Sequence, residues 1–88
     1  MIKSSQIKEI NTVINHFFET HPNTDRIKAK DLMPDFVQQG VFKVDYERKG
    51  LPIRNLLRSL DKQNLLHLIP FVFLERKAKN TYWHFKRI

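Results

Sequence analysis

The stretch Leu51–Lys62 constrains this chain more than any other part of it. Ile53, Leu56, Leu57 and Leu60 fall at i, i+3, i+4 and i+7, the spacing of a helix whose apolar face must be buried. Pro52 suits the first helical position, where a missing N–H costs nothing. The opposite face carries Arg54, Asn55, Arg58, Ser59 and Lys62. Two β-branched and aromatic runs follow, Ile69–Leu74 and Thr81–Phe85, with a turn predicted within Lys77–Asn80. An isolated hairpin is only marginally stable, so it must share a core with the helices.

The first half supplies that core. Ile7, Ile10, Val13, Ile14, Phe17 and Phe18 recur at helical spacing and predict a helix over Ser5–Thr20, capped by Ser4 or Ser5. His21 and Pro22 end it, because the residue before a proline avoids the helical region. A short extended piece near Ile27 would give the hairpin a third strand. Ala29–Gln39 is helical in pattern, with Leu32, Met33, Phe36 and Val37 inward. Pro34 would break one continuous helix, so two short turns are predicted, with Pro34 in the first turn of the second. Gly40 is placed to cap it. Phe42, Val44 and Tyr46 alternate with polar residues and predict an extended connector.

Charge is divided unevenly. Residues 43–88 hold eleven Lys or Arg against four Asp or Glu and so carry the full net charge of +7. Residues 1–42 hold five of each and are neutral. Such an excess favours a polyanionic partner. The 41% hydrophobic share predicts a folded domain rather than a disordered tail, and 88 residues predict one domain over 1–88. The absence of cysteine excludes disulfides and thiolate metal sites. His16, His21, His67 and His84 show no ligand spacing, so no metal or other cofactor is expected. Nothing orders a nucleophile beside a base, and two glycines cannot build a phosphate loop; no catalysis and no small-molecule ligand are expected. No apolar leader or membrane-length run is visible. The expected location is the cytoplasm, associated with the nucleoid, or the nucleus.

The order helix, extended piece, helix, connector, charged helix and charged hairpin resembles a winged helix-turn-helix domain over almost the whole chain. The resemblance implies an α+β fold, a small winged helix of three helices with a C-terminal β-hairpin wing. It implies double-stranded DNA as the partner, contacted by Arg54, Asn55, Arg58, Ser59 and Lys62 of the third helix and by Arg76, Lys77, Lys79 and Asn80 of the wing tip. It also implies sequence preference and a role as a small transcriptional regulator or mobile-element protein. The connector 41–50 is longer than the tightest helix-turn-helix spacing. Independently of the resemblance, Arg54, Arg58 and Lys62 form a column of like charge at i, i+4 and i+8. Such a column is locally unfavourable on a helix, and a bound polyanion would offset it. A helix of about eleven residues spans roughly 16 Å, enough to lie in a major groove. Lys28 and Lys30, near the start of the second helix, are within reach of a phosphate but read more readily as solvated. RNA is a further possible partner.

The hairpin leaves two matters open. Its register either sets Leu74 opposite Trp83 and Val72 opposite Phe85, or Phe73 opposite Trp83 and Phe71 opposite Phe85, and a one-residue slip exchanges the faces. The run 68–74 is also apolar on both faces, whereas a half-exposed strand should alternate. Either the first helix covers the second face or another chain does. The second case predicts a homodimer, or a protein-interaction module that does not bind DNA specifically.

Overall fold

The computed structural model describes residues 4–44, 50–78 and 81–88. Six regular elements follow in order: α1 (Ser4–Thr20), β1 (Arg26–Lys28), α2 (Met33–Gln38), α3 (Leu51–Lys62), β2 (Val72–Arg76) and β3 (Thr81–Lys86). Ala29–Leu32 and Leu66–Leu68 form short 3-10 turns. The three strands make one antiparallel sheet in the order β1-β3-β2. The architecture is therefore α+β, three helices with a three-stranded sheet. No helix among the described residues is long and apolar enough to cross a membrane.

The apolar periodicities translate into one core. α1 buries Ile10, Val13, Ile14 and Phe18, and α3 buries Ile53, Leu56, Leu57 and Leu60. At its centre Phe36 of α2 meets Phe85 of β3 edge to face, with ring centres 6.1 Å apart. Pro34 lies in the first turn of α2, preceded by the 3-10 turn, as a proline in that run requires. Gly40 then reverses the chain at φ +77°, and Val41 N–H bonds Phe36 C=O at 2.9 Å. Together with the Gly40 N–H to Val37 C=O bond, this is a Schellman cap. α3 ends the same way, with Asn64 at φ 58° and Leu65 N–H bonded to Leu60 C=O at 2.8 Å. Val41–Lys43 is bent rather than extended, with Val41 buried and the following Val44 exposed. Tyr46, the next residue of that alternation, lies outside the described residues.

The hairpin adopts the first of the two registers. Leu74 pairs with Trp83 and Val72 with Phe85, so all four side chains face the core. β1 completes the sheet with Ile27 opposite Phe85. The strand begins three residues later than the apolar pattern predicts, at Val72 rather than Ile69. Pro70 cannot donate to the ladder, and Ile69–Phe71 forms a turn instead. That turn resolves the two-sided apolar run. Ile69 and Phe71 are buried within the chain's own core, Phe71 stacked at 6.1 Å on Phe18 of α1. The face that a second chain would otherwise have to cover is largely used internally.

Arg87 ties the end of the sheet to the end of α1. Its guanidinium donates to the carbonyls of Phe18, His21 and Thr24 at 2.9, 2.7 and 2.6 Å. A cation there also complements the helix dipole. Lysine cannot reproduce this fork of donors, so Arg87→Lys is expected to cost about 1–3 kcal/mol, read as a lowered urea midpoint with an unchanged slope.

Candidate nucleic-acid interface

The site begins at Gly50, which starts α3 at φ +79° and is buried. A side chain there would sit 2.6 Å from Lys30 Cα and closer still to Lys30 Cβ. The start of α3 is thus pressed against the turn that follows β1. Arg54, one turn into α3, and Lys30 line the same cleft.

Arg54, Arg58 and Lys62 project from one side of α3 into a cleft of about 770 Å³. Lys28 and Lys30 line the same cleft, together with Tyr82, Trp83 and His84 of β3. Five Lys or Arg therefore converge from two segments remote in sequence. Among the described residues the cleft has two acids, Asp61 and Glu75, and both have cationic partners outside the five. Arg76 holds Asp61 at 2.9 Å, and Lys77 lies 3.5 Å from Glu75. Glu75 also lies 3.4 Å from His84. Among the described residues, no carboxylate is within ion-pair distance of Lys28, Lys30, Arg58 or Lys62. Among the described residues these four cations leave an excess of positive charge in a concave site, where low-dielectric walls concentrate its field.

The residues expected at the interface separate into groups. Arg54, Arg58 and Lys62 share the cleft. Asn55 stands on the exposed side of α3 and accepts a 2.9 Å hydrogen bond from Arg58, which orients that guanidinium. Ser59 does not join them. It turns toward α1 and lines a separate groove with Ile7 and Leu65, receiving Gln63 Nε2 at 3.1 Å. Arg76 belongs to β2 rather than to the turn, and its bond to Asp61 clamps the hairpin onto α3. Sequence spacing places Asp61 beside Arg58; the hairpin competes for it instead. Lys77 is exposed beside Glu75. Lys79 and Asn80 lie outside the described residues. The Arg76–Asp61 pair is well exposed on the arginine side, so Arg76→Ala is expected to change stability by less than about 1 kcal/mol in chemical denaturation.

Lys28, Lys30, Trp83 and His84 are not singled out by sequence spacing. Lys28 falls on the outer face of the sheet because Ile27 faces the core, an alternation visible in sequence; its nearness to α3 depends on how β1 pairs with β3. Trp83 is the chain's one tryptophan and is 6% exposed. Its Nε1 is buried without an acceptor, although buried indole N–H groups usually find one. Comparison with known proteins finds no matching family model, no matching curated protein and no matching solved structure.

Proposed function

We propose that this protein is a winged-helix domain that binds double-stranded DNA, with α3 and the cleft beside it as the contact surface. The observation that carries the reading is the convergence of Lys28 and Lys30 with Arg54, Arg58 and Lys62 on a cleft whose two acids among the described residues are both partnered. The element order helix, strand, helix, helix, hairpin supports the winged-helix assignment. Phosphates of one DNA strand occupy the cleft, held by the lysines. Arg58 and Asn55, hydrogen-bonded to each other on the outer side of α3, are the pair suited to base edges: arginine matches guanine and asparagine matches adenine in the major groove. Such a domain fits a small transcriptional regulator or mobile-element protein acting in the cytoplasm or nucleus.

Phosphate contacts by Lys28, Lys30, Lys62 and Arg54 imply an affinity that falls with salt with a log–log slope of roughly −3 to −4. Trp83 borders the cleft and supplies a built-in probe. Titration of the domain with a mixed-sequence duplex at low salt is expected to change Trp83 emission, and added salt should reverse the change. A labelled duplex whose anisotropy does not respond to the protein at low salt would refute the proposal.

A further inference from the structure

The outer face of the sheet is not an ordinary solvated surface. Register places Arg26, Lys28, Phe73, Tyr82, His84 and Lys86 on it. Phe73 and Tyr82 are 37% and 48% exposed and lie diagonally across the β2–β3 pair, about 7–8 Å apart at their backbones. Lys86 Nζ lies 5.7 Å from the centre of the Phe73 ring. Among the described residues Glu75 is the one acid on this face, and it faces His84 and Lys77. Exposed aromatic rings flanked by cations are what an unpaired nucleic-acid strand needs: flat surfaces for bases and positive charge for the phosphates between them.

We infer that this face binds single-stranded DNA, with Tyr82 and Phe73 stacking on bases and Arg26, Lys28 and Lys86 contacting phosphates. The ligand is a polyanion because the cations on the face outnumber its one acid. An apolar peptide or a second copy of this +7 chain lacks that complementarity. The face joins the duplex cleft without a break, since Lys28, Tyr82 and His84 belong to both. An unpaired strand leaving a duplex held in the cleft would pass directly onto it. The choice of DNA over RNA rests on the duplex reading; the platform itself does not.

The experiment is fluorescence anisotropy of the whole chain with a labelled 12-nucleotide deoxythymidine strand, the matching uridine strand and a 12-base-pair duplex. Phe73→Ala, at a position outside the duplex cleft, is expected to weaken binding of the deoxythymidine strand by about five-fold or more, with duplex affinity altered less than about three-fold. Phe73 is exposed and its variant should fold; Tyr82→Ala, at the more exposed position, should also weaken the single strand and provides a second test. An unchanged affinity of either variant for the single strand, or a wild-type protein that does not bind it, overturns the proposal. Equal loss of single strand and duplex in Arg54→Ala/Arg58→Ala, with no effect of Tyr82→Ala, overturns it by moving the strand into the cleft. Tighter binding of the uridine strand overturns the assignment to DNA.

Discussion

Replacing Gly50 by alanine is expected to lower stability by about 2–4 kcal/mol. Two costs add. A residue with a Cβ at φ +79° loses about 1 kcal/mol relative to glycine. The new methyl group also lies 2.6 Å from the Lys30 backbone, where overpacking typically costs about 1–3 kcal/mol. A chain of this length has only about 4–13 kcal/mol of total stability, so the loss is a large fraction of it. Gly40 is the internal control. It has almost the same backbone conformation, φ +77°, but nothing lies within 4 Å of where its methyl group would sit, so Gly40→Ala should cost only the conformational part, about 1 kcal/mol. Thermal melts of the two variants should therefore differ clearly, with Gly50→Ala the lower. Equal melting temperatures would show that α3 is not seated on Lys30 as described. Because Lys30 and Arg54 both border the cleft, Gly50→Ala should also weaken duplex binding.

The second large effect concerns binding rather than folding. Arg54→Ala combined with Arg58→Ala is expected to reduce duplex affinity by about 2–4 kcal/mol, roughly 30- to 1000-fold, and to make the salt slope shallower by about one. Arg58 is exposed and its removal should cost the fold little. Arg54 is half-buried and its Nε lies 3.4 Å from Gly50 C=O, so a melt must accompany the titration. Ser59→Ala distinguishes the cleft from the wider polar face expected from helical spacing. Ser59 turns toward α1, and its loss should leave duplex affinity within about two-fold. Anisotropy across a salt series measures the wild type and both variants.

Much of the fold is legible because its signals are local. The spacing of Ile53, Leu56, Leu57 and Leu60 predicts the buried face of α3, and all four are buried. Pro34 and Gly40 mark the start and the cap of α2 through backbone chemistry that needs no tertiary information. The third strand near Ile27 is legible as a requirement of the hairpin, and β1 fulfils it. The start of β2 is misplaced by composition, since Ile69 and Phe71 are strand-like residues, whereas Pro70 dictates a turn that buries both. Asn64 carries no signal of its own, because a left-handed asparagine is recognised only once the helix end is known.

The candidate site is legible only on one side. Arg54, Arg58 and Lys62 form a column by helix geometry alone. Their counterparts Lys28 and Lys30 are more than twenty residues away in sequence and reach the cleft through the pairing of β1 with β3 and the packing of Gly50 on Lys30. The partnering of Asp61 by Arg76 is likewise a tertiary choice between two arginines, which spacing along α3 alone assigns to Arg58. Ser59 lies apart from the cleft. It is polar and lies on α3, but the wide polar arc of that helix is shared between the cleft and a groove beside α1.

Whether duplex DNA lies in the cleft between α3 and the β1–β3 edge is decided by an NMR titration of the isotopically labelled chain with a mixed-sequence duplex. Shift changes should concentrate at Lys28, Lys30, Arg54, Arg58, Lys62 and the Trp83 indole N–H. Changes confined to the groove lined by Ile7, Asn11 and Leu68, or no changes at low salt, would place the duplex elsewhere or remove it altogether.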